Sequence, residues 1–235
     1  MIVLNDYFQS GVDAWFTERG EGSFALPSGD EDDALDSAQK DILCREGIDA
    51  QTVVTIRQVH GAKVLVAEDL SGGGLVPEAD GIVTQRTDVV LSVRTADCVP
   101  IFLYDPVRRC AGLVHGGWKS VHRKIVTETL KRLYQNFGTY PSDLKVVLGP
   151  SIRSCCYQVG QEFCEIFPEA MEPRYGQWFF DLQKVIVGHL TDFGVREERI
   201  YDVRQCTCCD SRFFSWRRDG DAAGRHLSLM KIRGV

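Results

Sequence analysis

The chain has 235 residues, enough for one large domain with a sizeable core, and its hydrophobic content of 44% is ordinary for a folded protein. Its 27 basic and 33 acidic side chains give a net charge of −6, and no run of Lys or Arg is long enough to follow a phosphate backbone. These features argue against a nucleic-acid partner, although a local pocket can still bind a small anion.

The N-terminus and the cysteines bear on the cellular compartment. Residues 1–6 lack a basic stretch followed by a long apolar run, so we expect no signal peptide, and no segment is apolar for long enough to span a bilayer. The nine cysteines are an odd number, which favours reduced thiols over a disulfide framework. We therefore predict a cytoplasmic protein without membrane contact.

The predicted elements begin, in chain order, with a helix over 34–43 that follows an acidic cluster. Runs rich in Val, Ile and Leu and bounded by Gly, Pro or Asp predict strands at 53–58, 63–67, 81–84, 89–95, 100–104 and 110–115. Apolar residues near the helical period predict a helix over 121–137 that ends at Gly138. The remaining predictions are a strand over 145–148, a helix over 182–193, and strands over 213–216 and 226–232.

The predicted strands outnumber the predicted helices, and the two kinds do not alternate regularly along the chain. This order predicts an α+β fold in which helices cover the faces of sheets. No stretch has the composition of a linker between domains, so we expect a single catalytic domain over 1–235.

Two histidines and one cysteine occupy similar positions at the ends of predicted strands. His60 lies in QVHG, Cys98 in TADCVP and His115 in VHGGW. Side chains at strand ends can converge on one edge of a sheet. Two imidazoles and one thiolate suit zinc, and three protein ligands leave a fourth position open. On spacing alone, a buried thiol and two unrelated histidines explain the same residues, so both interpretations stay open.

Several short segments carry a resemblance to one family, in the same order along the chain. They are QVHG (58–61), ADGIVT (79–84), TADCVPIFLYDP (95–106), VHGGW (114–118), GPSI and CCYQVG (149–160), FDL (180–182), CT (206–207), FFSWRRDG (213–220) and GR (224–225). From about residue 55 to its C-terminus the chain resembles the YfiH family of laccase-domain proteins. Members are also described as purine nucleoside phosphorylases of the LACC1 type or as polyphenol oxidases.

The resemblance implies a metal site, an activity and a fold. The motif positions that bind the metal in the family are His60, Cys98 and His115 here, and the implied ion is zinc, with copper possible in the same site. The implied activity is phosphorolysis of adenosine, inosine and methylthioadenosine, plus adenosine deamination, and some bacterial members are linked to editing of peptidoglycan precursors. The implied fold is a layered α/β sandwich of mixed sheets flanked by helices, similar to the toxin CNF1.

The chain departs from the family pattern at a few positions near these motifs. Lys119 stands where the family has the arginine of HAGWRG, and lysine lacks the planar fork that suits bidentate phosphate contacts. Gln158 replaces a glutamate and Ala223 replaces a threonine. These changes leave the three predicted metal ligands in place and bear on substrate preference.

Deamination needs an activated water at C6 of adenine and an acid for the leaving ammonia, and zinc lowers the pKa of bound water toward ~7. The nucleoside deaminase signature H-x-E…P-C-x-x-C is absent, so another residue must supply the acid. Asp97, next to Cys98, is the candidate for this role. A turn-forming aspartate that bonds to nearby backbone is the alternative interpretation.

Phosphorolysis needs cationic side chains that hold a phosphate near the ribose. The candidates are Arg94, Lys119, Arg217, Arg218 and Arg225. For each of them, an ordinary surface ion pair is the alternative interpretation. Trp118 or Tyr157 is a candidate to stack on the purine, although a large aromatic residue is more often part of the core.

Other readings of the same residues predict different chemistry. A metal-free cysteine hydrolase would use Cys98 as nucleophile and His115 as base. A multicopper oxidase is disfavoured because five histidines are too few for its copper sites. Zinc could instead be structural if a fourth ligand closed the site.

The C-x-x-C formed by Cys206 and Cys209 could supply that fourth ligand or bind a second metal. The neighbouring pair Cys155 and Cys156 is adjacent in sequence and therefore poorly placed to chelate together. We interpret these cysteines as core or near-site thiols.

Overall fold

Within residues 1–25, 35–70 and 74–234, which the computed structural model describes, the strands form two six-stranded sheets and one three-stranded sheet. The first sheet contains, in spatial order, β1 (Ile2–Val3), β2 (Val12–Phe16), β15 (His226–Ile232), β7 (Val90–Thr95), β3 (Val53–Arg57) and β5 (Gly74–Glu78). The second contains β14 (Ile200–Asp202), β10 (Lys145–Leu148), β8 (Val99–Asp105), β9 (Cys110–Gly116), β6 (Gly81–Thr84) and β4 (Val64–Val66). The third contains β11 (Gln158–Val159), β13 (Gln177–Phe180) and β12 (Met171–Arg174).

The helices are short except for two that cover the second sheet. They are α1 (Asn5–Phe8), α2 (Ser37–Arg45), α3 (Trp118–His122), α4 (Ile125–Phe137), α5 (Phe163–Ile166), α6 (Leu182–Asp192) and α7 (Trp216–Asp219). Leu130 of α4 and Ile186 of α6 share one buried cluster with Ile101 and Leu103 of β8. No helix in the described ranges is long and apolar enough to cross a membrane.

The face of the second sheet that points away from the helices packs against the first sheet. Leu91 of β7 belongs to the same buried cluster as Phe102 of β8 and Leu113 of β9. Because side chains alternate along a strand, β8 faces this cluster with Phe102 and the helices with its two neighbours. Strands β7, β8 and β9 are therefore buried along their whole length. The predicted α+β fold of mixed sheets flanked by helices is confirmed.

Two of the predicted elements are wrong in detail. The helix predicted over 121–137 is broken between α3 and α4, because Lys124 adopts a left-handed conformation with φ of 66°. Residues 213–216 form no strand: Phe213 and Phe214 are buried in a turn, and Ser215 caps the short helix α7. The first predicted helix begins at Ser37, and residue 34 lies outside the described ranges.

Candidate metal centre and its cleft

Three separate segments bring His60, Cys98 and His115 together. His60 follows β3, Cys98 lies in the turn between β7 and β8, and His115 lies near the end of β9. The antiparallel register of β8 and β9 pairs Pro100 with His115, which places Cys98 beside this histidine. One potential ligand atom from each of the three residues lies within 4.8 Å of the other two. Among the described residues, no fourth His, Cys, Asp or Glu joins this set.

The set is buried on one side and open on the other. His115 is only 3% exposed and Cys98 is half-buried, whereas His60 is exposed. The two imidazole rings meet edge to face, with their centroids 4.8 Å apart. Gly117 closes the buried side: a Cβ at this position would lie 3.1 Å from both Cys98 Sγ and His60 Cδ2. A side chain at this position would crowd both candidate ligands, so the close approach of the backbone favours glycine.

Asp80, which no sequence pattern singled out as a site residue, supports two of the three side chains. It is fully buried, and its Oδ1 lies 2.8 Å from His115 Nδ1. Its carboxylate also accepts the amides of His60 and Gly61 at 2.9 and 2.6 Å. Because a carboxylate only accepts hydrogen bonds, it places the proton of His115 on Nδ1 and leaves Nε2 as the ligand atom.

Electrostatics around Asp80 agree with this role. Burial alone would raise the pKa of Asp80, but the hydrogen bonds from His115 and from the amides of Gly61 and Val59 hold it below its ordinary value. Asp80 lies in the ADGIVT segment, where an aspartate before glycine has the appearance of an ordinary turn residue. Only the tertiary contacts identify it as the carboxylate partner of a candidate ligand.

The Cys98 thiol and the His115 imidazole each favour the charged form of the other. Burial opposes the charge on Cys98, but attraction to His115 and hydrogen bonds from His115 and His60 lower its pKa to about 6. Burial likewise opposes the charge on His115, but Cys98 and Asp80 raise its pKa to about 9. A thiolate beside an imidazolium suits either metal binding or nucleophilic attack.

Two residues of the site have strained backbone conformations. His60 has φ of 56° and Asp97 has φ of 86°, values that side chains other than glycine rarely adopt. The hydrogen bond from the amide of His60 to Asp80 holds His60 in place. The amide of Ile152 donates a hydrogen bond to the carbonyl of Asp97 at 2.9 Å. Such strain is typical of functional sites, where surrounding contacts compensate for it.

The carboxylate of Asp97 joins three segments beside the candidate metal centre. Oδ1 accepts the hydroxyl of Thr207 at 2.7 Å, and Oδ2 accepts the hydroxyl of Ser215 at 3.1 Å and the amide of Arg217 at 2.7 Å. These partners are distant in sequence, unlike those of a simple turn. Both oxygens are engaged, which favours a positioning role, and the assignment of Asp97 as the acid stays a prediction.

A cleft of about 1140 Å³ opens at the three candidate ligands. Its lining includes four of the five predicted cations, Arg94, Lys119, Arg217 and Arg225, together with Arg57, which the sequence analysis did not propose. The fifth, Arg218, does not line the cleft. Its guanidinium donates to backbone oxygens of the turns at Thr207 and Phe213 and pairs with the adjacent aspartate, which favours a structural role.

Aromatic side chains line the same cleft. Trp118 and Tyr157, both proposed from the sequence, are half-buried in its wall, and Trp216 joins them. Three of the cations lie over these rings: Arg217 is 5.4 Å from the centroid of Tyr157, Arg225 is 5.4 Å from that of Trp216, and Lys119 Nζ is 5.7 Å from that of Trp118. The cleft therefore combines positive charge with flat apolar surfaces.

Four other cysteines, the adjacent pair and the two of the C-x-x-C, do not belong to the centre formed by Cys98 and the two histidines. Cys155, Cys156, Cys206 and Cys209 form a separate set whose sulfur atoms all lie within 4.8 Å of one another. The alternative in which Cys206 or Cys209 supplies a fourth ligand to the first centre is therefore wrong. The interpretation of these cysteines as core thiols is also wrong for Cys155 and Cys209, which are exposed. So is the expectation that the adjacent pair is poorly placed to chelate together, because the turn that contains it directs both sulfurs to one point.

The layered sheets, the two histidines and cysteine at strand ends, and the open cleft define a laccase-domain protein. The sequence model of the family described as "Multi-copper polyphenol oxidoreductase laccase" matches residues 16–233, and the chain belongs to this family. The purine nucleoside phosphorylase of Aquifex aeolicus is 36% identical over 162 residues, covering 69% of this chain and 74% of that protein.

Two solved structures agree with the fold over nearly the whole chain. The hypothetical protein YfiH of Bacillus licheniformis superimposes with a TM-score of 0.88 at 26% identity, covering 99% of this chain and 96% of that one. YlmD of Geobacillus stearothermophilus superimposes with a TM-score of 0.83 at 28% identity, covering 96% and 93% of the two chains. The resemblance found in the motifs is therefore confirmed at the level of the family.

Proposed function

We propose that this chain is a zinc-dependent purine nucleoside phosphorylase that acts on adenosine, inosine and methylthioadenosine and that also deaminates adenosine. The names of its relatives support a function of the purine nucleoside phosphorylase kind. The observation that carries the proposal is the meeting of His60, Cys98 and His115 at a cleft lined by cations and aromatic rings.

The residues present fit a catalytic zinc ion. Two imidazoles and one thiolate are a preferred donor set, and Asp80 orients His115 as carboxylates orient metal-binding histidines elsewhere. The exposed side of His60 leaves room for a reactant. When bound, zinc supplies Lewis acidity to a substrate or water oxygen in the cleft.

Phosphorolysis assigns distinct roles to the cleft residues. A phosphate oxygen forms a bond to C1′ of the ribose while the bond from C1′ to the purine nitrogen breaks, and the electron pair leaves with the purine, which takes up a proton. Arg94, Lys119, Arg217 and Arg225 hold the phosphate and offset its charge. Trp118 and Tyr157 offer faces on which the purine stacks.

Copper fits the same donor set, but a multicopper oxidase needs further imidazoles close by. The other three histidines lie elsewhere: the ring of His122 packs on Phe167, His189 lies 2.9 Å from Lys124 Nζ, and His226 is buried. The described residues therefore support a single ion at this centre and disfavour the oxidase chemistry in the description of the family.

Product analysis tests the proposal. Purified protein is incubated with adenosine, with and without phosphate, and the products are separated. Adenine with ribose 1-phosphate, formed only when phosphate is present, indicates phosphorolysis, and inosine without phosphate indicates deamination. If neither product forms, the nucleoside proposal is wrong.

A metal-free cysteine hydrolase is the second candidate, and the pairing of Cys98 with His115 favours it. The lowered pKa of Cys98, about 6, gives a thiolate at neutral pH. The two candidates differ in how this thiolate reacts with iodoacetamide. A metal-bound sulfur is protected until a chelator removes the ion, whereas a free nucleophile is alkylated equally fast with and without the chelator.

A further inference from the structure

Two loops bring four cysteines together at the ends of two neighbouring strands. Strands β10 and β14 are parallel and adjacent, so the loops that follow them leave the second sheet at the same end of the two strands. The two loops continue to pair beyond the strands, because the amide of Thr207 donates to the carbonyl of Ser151 at 3.1 Å. This pairing places the turn with Cys155 and Cys156 against the turn that contains the C-x-x-C.

The sulfur atoms of this set have the spacing of metal ligands. All four lie within 4.8 Å of one another, and Cys209 Sγ is 3.4 Å from Cys155 Sγ and 3.2 Å from Cys156 Sγ. Zinc–sulfur bonds of about 2.3 Å in a tetrahedron separate the sulfurs by about 3.8 Å. Disulfide bonding needs about 2.05 Å, so the set lies closer to the geometry of a shared ion.

Backbone contacts fix the position of the C-x-x-C against the first loop. The amide of Asp210 donates to the carbonyl of Cys206 at 3.1 Å, which closes the turn that contains Cys209. The amide of Ser151 in the first loop donates to the carbonyl of Gln205 at 3.1 Å. These bonds hold the two cysteines of the second loop beside the two of the first.

Packing does not explain why these thiols converge. Cys155 and Cys209 are exposed, whereas a cysteine that serves as a small apolar residue is usually buried, as Cys110 is in this chain. Four thiolates around a divalent ion carry a net charge of −2. The Arg174 guanidinium, which pairs with Glu172, donates to the hydroxyl of Ser154 at 3.3 Å and so brings positive charge next to Cys155.

We propose that Cys155, Cys156, Cys206 and Cys209 bind a second zinc ion in a closed tetrathiolate site. Four protein ligands leave no open position, so the ion is structural. It clamps the two loops that support the cleft: Arg217 donates to the carbonyl of Cys156 in the first loop at 3.3 Å, and Thr207 in the second donates to Asp97. In this proposal, one zinc ion stabilises the loops around the cleft, and the other takes part in the reaction there.

Zinc content per chain, measured by elemental analysis, tests the site. The variants Cys155→Ser and Cys209→Ser should each lose one zinc equivalent relative to the unmodified chain. Cys208→Ser is the matched control, because Cys208 lies in the same turn but outside the four-sulfur set, and it should keep the full zinc content. Equal zinc content in all of these proteins would overturn the proposal.

Cobalt binding to Cys98→Ala supplies a readout that does not depend on the first centre. This variant keeps all four cysteines of the second site, so it should bind one cobalt ion with the strong sulfur-to-metal absorption of several thiolates, and Cys155→Ser should reduce that absorption. Failure of Cys98→Ala to bind cobalt would overturn the tetrathiolate site without bearing on the nucleoside activity. The mass of the denatured chain tests for a disulfide. A mass lowered by the hydrogens that are lost when a disulfide forms within this set would also overturn the tetrathiolate site.

Discussion

At the residue scale, the candidate metal centre depends on Asp80 as much as on the three ligands. One buried carboxylate orients His115 through its ring, holds His60 through its amide, and keeps the intervening glycine turn closed. Because it contacts both histidines, its loss should disturb the donor set without removing any donor atom.

Asp80→Asn should weaken zinc binding roughly 10- to 100-fold, the range typical for the loss of a hydrogen-bonding partner of a ligand. Oδ1 of Asp80 accepts from His115 and His60, and Oδ2 accepts from the next amide, that of Gly61. Asparagine has a single oxygen, so its NH2 group would face the donors on one of these two sides. Competition against a coloured chelator measures the affinity. Asp221→Asn is the control, because Asp221 is an exposed carboxylate in the same cleft, and equal affinities in the two variants would contradict the role of Asp80.

Gly117→Ala should lower zinc occupancy without unfolding the chain. The added methyl group would press on Cys98 and His60, while the backbone at Gly117, with φ of −76° and ψ of 157°, accepts alanine. Gly188→Ala is the control: no atom lies within 4 Å of its new Cβ in helix α6, so it should keep the zinc and stabilise the helix by up to about 1 kcal/mol. Full occupancy in Gly117→Ala would refute the steric argument.

At the element scale, the loops around the cleft are held by polar contacts and not by regular secondary structure. Asp97, in a strained turn between two buried strands, is bonded to the segments at Thr207 and at 215–217. The loops themselves contain few residues in strands or helices, so these bonds determine where the cleft cations lie.

Thr207→Val should reduce the free energy of unfolding by about 1–3 kcal/mol, because it leaves a buried oxygen of Asp97 without a donor. Urea denaturation gives this value. Thr207→Ser keeps the hydroxyl and should recover most of the stability. A valine variant as stable as the serine variant would show that the bond contributes nothing.

Helices and strands with several apolar residues in a regular pattern can be predicted from the sequence, and very short strands cannot. The strands over 81–84 and 110–115 and the helix over 182–193 were predicted because their apolar residues are continuous or periodic over several residues. The strands of the third sheet were missed because each is only two to four residues long. Residues 213–216 have the apolar composition of a strand, but burial of Phe213 and Phe214 in a turn gives the same pattern.

Some residues of the candidate site can be identified from the sequence, and others cannot. Its three ligands stand next to glycine or proline turns at strand ends, a local signal, and the resemblance to the family identified them. The role of Asp80 and the convergence of Cys155 with Cys209 depend on contacts between segments that are far apart in sequence. Patterns read along one chain do not contain this information.

At the scale of the whole molecule, stability should depend on pH through His226, which lies in β15 at the centre of the first sheet. The side chain is fully buried against aromatic rings, and its Nε2 accepts the amide of Phe214 at 2.7 Å. Burial lowers the pKa of His226 to about 4, against about 6.5 in an unfolded chain. The folded protein therefore keeps this ring neutral in a range where the unfolded chain protonates it.

The stability that depends on a neutral His226 ring is complete above about pH 6.5 and is lost as the pH falls toward 4, by on the order of 3 kcal/mol in total. Urea midpoints of the unmodified chain should fall between pH 7 and pH 5 more steeply than those of His226→Gln, which has no titrating ring at this position. Parallel pH profiles for the two proteins would contradict the assignment.

In the proposed function, Cys98 shares one catalytic zinc ion with His60 and His115. Zinc content and nucleoside turnover are therefore compared, on the same preparations, for the unmodified chain, Cys98→Ala, and Cys44→Ala, which removes an exposed thiol of helix α2 that belongs to neither set of candidate ligands. Cys98→Ala should lose one zinc equivalent together with phosphorolysis and deamination, and Cys44→Ala should keep all three. Unchanged zinc content and turnover in Cys98→Ala would contradict the claim.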